Sequence, residues 1–439
     1  MSERALGVAG LLLNPRWFWH RVVVGVLLML LGTWISRRAF NEWGADLAQL
    51  YMSAWLLREG KNVYDYTEQH SGYMRHIGEV TTWGHFYPPG SAVALLPATV
   101  IPYSVAKQLW FVLGIVVMLY GLWRFMAAYM PRWDRSLRTL VLGVVMCTAC
   151  VRWGFKVAQP VSLVLGLFAI FMVEFRTGRT WLAISCAAIS GAIKVTFGMP
   201  FVLLALALRR FKIAIVLAGI WGTMNLVGMY GMGGPKIMAD FKANMATFER
   251  ADQLNYPDPR GFNSLARTDW PYILNAASPN FPRNKLIGHI LTLASLAWIA
   301  FEVLRAQPRL LEEDVPTLAL TGPISALSML SVYHHHYDIG LLLLPLLAYV
   351  GRPELRRVPA SWAFILPVGL YAGLYPYDKF AKLLEAIMGP SYVLISKPMA
   401  CAVCIAALVS SMLVVRAVLR KGVIATDDGA SESLKPAIR

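Results

Sequence analysis

Apolar residues in this chain come in long blocks, not in the alternation of a strand or the narrow stripe of a soluble surface helix. Blocks of roughly 18 or more apolar residues are what a hydrocarbon layer about 30 Å thick requires. The pattern predicts about twelve membrane-spanning helices, near residues 20–37, 105–123, 136–153, 157–175, 181–194, 196–208, 211–231, 286–304, 314–333, 338–351, 360–375 and 398–420. The pair 181–194 and 196–208 reads equally as one long helix broken around Lys194. Residues 88–103 (PPGSAVALLPATVIPY) are apolar but carry four prolines. They read as a re-entrant or short broken element, tolerated where protein or a watery cavity satisfies the freed backbone groups.

Three polar segments interrupt the blocks, at about 38–104, 232–285 and 376–397. Loops of this length on a helical scaffold carry function, since a mere connection needs only a few residues. In the first, Leu47, Leu50, Tyr51, Ala54 and Leu57 recur at helical spacing while Asp46, Gln49 and Ser53 share the other face. That predicts an amphipathic helix lying at the membrane surface with an acid in its first turn. The first apolar stretch, Val22 to Ser36, lacks a small-residue cleavage site and is followed by further spans, so it reads as a retained anchor. Residues 421–439 are polar and poor in aromatics, the composition of a disordered tail.

Composition supports one transmembrane domain over 1–420, of the all-α polytopic class. Hydrophobic residues make up 57% and charged residues only 15%, against about 25% charged in soluble domains. The net charge of +16 lies in short clusters: Arg16 with Arg21, Arg132 to Arg138, Arg176 with Arg179, Arg209 to Lys212, Arg305 with Arg309, Arg352 to Arg357, and Arg416 to Lys421. With twelve spans every cluster falls on one side, which the positive-inside rule makes cytoplasmic together with both termini. A further span at 88–103 would scatter them, and Arg37 with Arg38 is the one exception. Basic loops facing anionic headgroups explain this charge, and with no basic stripe on a soluble domain nucleic acid is not an expected partner. The five cysteines include two C-x-x-C pairs, Cys147 with Cys150 and Cys401 with Cys404. All sit in apolar runs, where a thiol behaves as a small hydrophobe, so no metal or redox role is assigned to them.

Candidate chemistry gathers in the outer segments. Asp46 fits an N-cap, stabilising by about 1 kcal/mol, or a general base held near the bilayer surface. The run SVYHHHYD (Ser331 to Asp338) closes a predicted span and presents His334, His335 and His336. Only one or two of three successive histidines on a helix can face one site. They fit an interfacial belt or donors to an anionic headgroup or leaving phosphate; zinc lacks an HExxH-like spacing. Lys194 lies in an apolar stretch where an unpaired charge costs about 2.5–3.5 kcal/mol, which suggests function, unless it snorkels to an interface. Arg152 and Lys156 flank a turn that continues into Gln159 and Pro160. Arg260, Asn263, Ser264 and Arg267 (DPRGFNSLARTDW) each read singly as solvated loop residues, and together add cations on the face of Asp46. Tyr64 in GKNVYDY and Tyr87 in HFYPPG fit a rigid lid whose rings pack on a sugar, and equally fit core packing. The chain has no G-x-x-x-x-G-K-[ST], no G-x-G-x-x-G after a strand, and no clustered carboxylates that demand a divalent metal. No cofactor is therefore expected.

The order GADLAQLYMSAWLLREGKNVYDY, FYPPGSAVALLPATVIP, GAIKVTFGMP, GFNSLAR and SVYHHHYD resembles the polyprenol-phosphate-sugar-dependent glycosyltransferases of the GT-C fold. More narrowly it resembles glycosyltransferase family 87, which includes mannosyltransferases of phosphatidylinositol mannosides. The resemblance covers roughly residues 20 to 400. It implies inverting transfer of a sugar, frequently mannose, from a polyprenyl-phosphate donor to a hydroxyl of a glycolipid or glycan. That transfer would occur at the outer face of a bacterial cytoplasmic (inner) membrane, among membrane lipids. It implies Asp46 as catalytic base, and its late-helix histidine matches the Tyr333–Tyr337 segment, with His335 or His336 the closest fits. Lys194 matches a motif lysine of less defined role. Two other classes share the composition. A transporter or flippase of polyisoprenoid-linked lipids or sugars predicts inverted repeats and charges along a midplane path; neither is evident in the sequence. A non-catalytic subunit of an envelope assembly machine fits if the outer segments bind protein and Asp46 is only a cap.

Overall fold

The computed structural model describes residues 14–42, 45–78, 85–247, 250, 256–260, 267–332, 334–374 and 377–421. Among them the chain is helical, and its only strand-like feature is an isolated bridge between Arg267 and His335. The tail expected after Lys421 lies outside the described residues.

In chain order the helices are α1 (Phe18–Glu42), α2 (Ala45–Arg58), α3 (Tyr66–His76), α4 (Pro89–Leu95), α5 (Tyr103–Tyr129), α6 (Arg135–Met146) and α7 (Ala149–Lys156). Then come α8 (Val161–Arg176), α9 (Thr180–Ile193), α10 (Val195–Ala207), α11 (Phe211–Gly231), α12 (Lys236–Thr247), α13 (Trp270–Ala277) and α14 (Phe281–Arg305). The chain closes with α15 (Asp314–Ser331), α16 (Leu343–Gly351), α17 (Pro353–Arg356), α18 (Pro359–Leu374), α19 (Tyr377–Met388) and α20 (Val393–Lys421). Each expected span overlaps helical structure, but 136–153 is divided between α6 and α7 and 338–351 begins in a 3-10 turn over His336–Leu342. Among the described residues five helices are long and apolar enough to cross a membrane, and six if α6 and α7, bent by 52° at their junction, form one span. The others are shorter because the chain breaks inside the apolar blocks, at Lys194 between α9 and α10 and again after Ser331. Between Pro88 and Pro102, the seven-residue α4 gives way to a 3-10 turn over Leu96–Val100, the broken element that four prolines predict.

Two helices form the centre. From Val161 to Glu174 every residue of α8 is buried, as is every residue of α15 from Val315 to Leu330. A helix apolar on all sides belongs inside a bundle. Around them α1, α5, α11 and α14 expose large apolar side chains, Leu27, Leu30, Leu109, Val116, Ile215 and Leu293 among them. Such belts match a hydrocarbon surround, not water. The expected surface helix at 45–58 is not amphipathic in its packing: Gln49 and Ser53 are as buried as Leu50 and Tyr51, and the helix packs against α3 and α4. Helix α3, with Tyr66 and Met74 exposed and Tyr73 buried, is the one-sided element of this segment.

Contacts tie the basic clusters to a common end of the bundle. Arg21 bonds Asp134 at 2.8 Å, and Arg124 and Arg179 meet the buried Glu174 at 2.9 and 3.8 Å. Arg352 donates to the Tyr129 carbonyl at 3.0 Å, and Arg420 grips Glu302 with two nitrogens at 3.1 and 3.2 Å. The opposite ends of α8, α9 and α15 carry Gln159, Lys194 and His334.

Two crossings depend on glycine. A Cβ at Gly121 of α5 would overlap the Gly166 carbonyl of α8, and one at Gly143 of α6 would overlap that of Gly25 in α1. Small residues allow such backbone approach where no hydrophobic effect drives helices together. Gly166→Leu should lower the thermal unfolding midpoint of the purified protein, with an overpacking cost of about 1–3 kcal/mol. Gly219→Ala, where a Cβ meets nothing within 4 Å, should leave the midpoint unchanged or raise it. Equal midpoints for both variants would show that the α5–α8 crossing tolerates separation.

Candidate active site

Asp46 is the second residue of α2 and lies outside every expected span. It is therefore not the helix cap; its backbone N–H donates instead to the Val157 carbonyl at 3.1 Å, docking the start of α2 on the turn between α7 and α8. Its carboxylate Oδ2 accepts from Gln159 Nε2, whose second hydrogen reaches the Tyr337 hydroxyl at 3.4 Å.

The turn that presents Gln159 ends α7 in a Schellman arrangement. Gln159 N–H bonds the Gly154 carbonyl at 2.8 Å and Ala158 N–H that of Phe155 at 3.0 Å. Ala158 takes the left-handed position with φ 56°, where an L-residue with a Cβ is held against about 1–2 kcal/mol of preference. Trp110 Nε1 donates to its carbonyl at 3.2 Å, and Pro160 then starts α8. Asp46 keeps partial exposure. Burial nonetheless pushes its carboxyl up to about 7; Lys194 pulls against that rise, Asp338 adds to it, and the Gln159 bond opposes it.

Beside this pair lies a second charge group. Lys194 stands in extended backbone at the α9–α10 break, with its Nζ 3.5 Å from Asp338 Oδ2 and 4.6 Å from the centre of the Phe197 ring. The same oxygen accepts from His334 Nδ1 at 2.9 Å and from the His335 backbone N–H at 3.2 Å. Asp338 Oδ1 and His334 Nε2, both buried, have no hydrogen-bond partner, nor does Gln159 Oε1. Lys194 does not snorkel: it is 8% exposed and shares its charge with a fully buried carboxylate.

The histidine run is not the helix end that its position suggested. His335 is extended and caps a 3-10 turn over His336–Leu342, with Asp338 closing a capping box. That geometry separates the three rings. His334 lies against Phe197, His335 against Tyr337, and His336 edge-on to Trp153 and Tyr337. Arg267 joins them through its backbone bridge to His335, while its guanidinium makes two bonds to Asp269.

Arg260 goes elsewhere, bonding Asp258 at 3.1 Å and the Asn275 carbonyl at 3.1 Å, which staples its loop to α13. Asn263 and Ser264 lie outside the described residues. Tyr64 and Tyr87 are buried: the Tyr64 hydroxyl donates to the Tyr87 carbonyl at 2.7 Å, and His85 sits 5.6 Å from each ring. With Asn62 bonding Asp240 at 2.8 Å and Phe241 5.4 Å from Tyr64, these residues fasten the first outer segment to α12. This is the core-packing alternative. Gln159, Asp338 and Tyr337 are the members that sequence reasoning did not assign. Their signal was a carboxylate at the head of an apolar block and a lone Gln before a helix-starting proline. Among the described residues no three His, Cys, Asp or Glu side chains converge as a metal site.

Removing one partner of a buried ion pair costs about 3–5 kcal/mol, because the other charge is stranded. Lys194→Met should therefore depress the unfolding midpoint strongly, and Lys194→Met with Asp338→Asn should recover most of the loss. A single variant as stable as the parent would show that the pair carries no such load.

No curated protein and no solved structure matches the chain. A family model does, and its reach is informative: it takes in Gln159, Lys194, Arg260 and Arg267 but stops short of Asp46 on one side and of His334 to Asp338 on the other. The model is that of glycosyltransferase family 87, its match over residues 85–321 spans more than half the chain, and the protein belongs to that family.

Proposed function

We propose that this glycosyltransferase moves mannose, with inversion, from a polyprenyl-phosphate donor to a hydroxyl of a glycolipid or glycan. The reaction takes place at the outer face of the cytoplasmic membrane, on the side opposite the basic clusters. The observation that carries the reading is Asp46: partly exposed, fixed by Gln159, and pushed up to about 7. A base poised near the working pH combines a correct protonation state with real proton affinity. Asp338 is the weaker choice, since three donors already converge on its Oδ2 within a fully buried site.

In this mechanism the donor's lipid lies in the bilayer and its phosphate meets the cationic side of the group, Lys194 with the histidines next to it. Asp46 takes the proton of the acceptor hydroxyl as that oxygen attacks the anomeric carbon from the face opposite the phosphate. The C–O bond to phosphate breaks, and its electron pair leaves with the lipid phosphate. Fixed positive charge stabilises the leaving group without solvent reorganisation. The ammonium of Lys194 offers three donors and gives one to Asp338, so capacity for a phosphate oxygen is retained.

Asp46→Asn should abolish transfer from radiolabelled polyprenyl-phosphate mannose while leaving a folded, inserted protein. Full activity would remove Asp46 from the mechanism, and transfer from no polyprenyl donor in the parent protein would remove the donor assignment.

The pH dependence has a definite sign. Transfer needs deprotonated Asp46, so kcat/KM should rise about tenfold per pH unit below about 7 and level off above it. Folded Asp46 holds its proton to higher pH than the unfolded chain does. Between the model-peptide value of 3.8 and about 7, its share of stability therefore falls as pH rises. Asp46→Asn should lose that slope, and at pH 8 it should unfold at a higher temperature than the parent. Parallel midpoint-versus-pH curves for the two proteins would contradict the raised carboxyl.

A further inference from the structure

The far ends of the two central helices enclose a cleft of about 440 Å³ lined by Phe175, Arg176, Arg209, Arg210, Glu312 and Asp314, among others. Its volume is in the range of small-molecule sites. Helix α8 runs from the Gln159 turn to Arg176, 16 residues or roughly 24 Å, so the cleft and the Asp46 group are at opposite ends of one rod.

The charges of the cleft divide into those already used and those left over. Arg176 is paired with Asp314 at 2.8 Å and donates to the Ala128 carbonyl at 2.7 Å. Arg209, with φ 58°, is the other non-glycine residue in the left-handed region, again at the C′ position of a Schellman turn. From there its Nη2 caps the end of α14, reaching the carbonyls of Val303, Leu304 and Ala306 at 2.9, 3.3 and 3.4 Å, while its buried Nε has no partner. Arg210 lies exposed over the Phe175 ring at 5.7 Å, and Glu312, also exposed, lines the same cleft. Neither of these two makes an ion pair among the described residues. One free cation and one free anion share a single concave site, at the end of the bundle where the basic clusters gather and headgroups lie.

A purely anionic ligand would answer Arg210 and meet Glu312 unfavourably. A ligand carrying phosphate and primary ammonium together answers both, the phosphate at Arg210 and the ammonium at Glu312. We propose that this cleft is a binding site for a phosphoethanolamine group, borne by a membrane lipid or by the free aminophosphate.

The test uses the full-length protein in nanodiscs of phosphatidylcholine alone, or with one third phosphatidylethanolamine or phosphatidylglycerol, and in detergent with soluble phosphoethanolamine. Phosphatidylethanolamine should raise the unfolding midpoint by about 2–4 °C over phosphatidylcholine and more than phosphatidylglycerol does. Arg210→Gln and Glu312→Gln should each abolish that increment, with the midpoint in phosphatidylcholine and sugar transfer unchanged. A shift with the lipid but not the soluble compound assigns the membrane source, and the reverse assigns the free aminophosphate. Equal midpoints in all conditions, a phosphatidylglycerol effect as large as that of phosphatidylethanolamine, or an increment that survives both substitutions would overturn the proposal.

Discussion

A helix that stops inside an apolar layer leaves backbone groups and any nearby charge with no water to satisfy them, and the ion pair of Lys194 with Asp338 answers that constraint for two helices together. The first break separates α9 from α10, and the second falls between α15 and the 3-10 turn at His336. Each break brings one charge, and the two charges meet at 3.5 Å. His334 and the His335 amide add two further donors to the same carboxylate oxygen. Neither break is tolerable without the other, because a lone ammonium or carboxylate in that position would be among the most expensive groups in the protein. The cluster is consequently an architectural joint between the two breaks.

Asp46 is attached to this joint by a different logic. It enters from α2, a helix outside the central bundle, and reaches the joint through the side chain of Gln159 and the carbonyl of Val157. Gln159 also reaches the hydroxyl of Tyr337, the neighbour of Asp338. Two carboxylates in contrasting surroundings thus sit side by side: one fully buried with three donors on a single oxygen, the other partly exposed and held by Gln159. Difference of environment, not of residue type, divides the labour.

The extent to which this was legible in the chain follows from what each signal encodes. Apolar blocks encode burial, so helix positions and the proline-broken stretch before Tyr103 were readable, as was the break at Lys194. Length alone does not say whether a block of 13 or 14 residues crosses a bilayer, and α9 and α10 remain short of that. Periodicity failed at Gln49 and Ser53, since a polar residue whose bonds are met locally, as the Ser53 hydroxyl meets the Leu50 carbonyl at 2.8 Å, can be buried on a face that reads as wet. Three histidines in a row at the end of a span allowed one or two to face a common site without saying which, and the extended backbone at His335 sends the rings to three surroundings. Gln159 was invisible as a site member because its importance comes from a contact 113 residues away in sequence. The membership of glycosyltransferase family 87 rests on the central stretch of the chain, and the acid and the histidines outside that stretch come to it only through folding.

Ala158 gives the turn beneath Asp46 its character. Glycine would occupy that left-handed backbone at no steric cost, but it would also admit many neighbouring conformations. Alanine concedes local stability and narrows the basin, so the amide of Gln159 is offered in essentially one direction. Precision in placing the Asp46 carboxylate is in this way gained from backbone strain held in the turn beneath it.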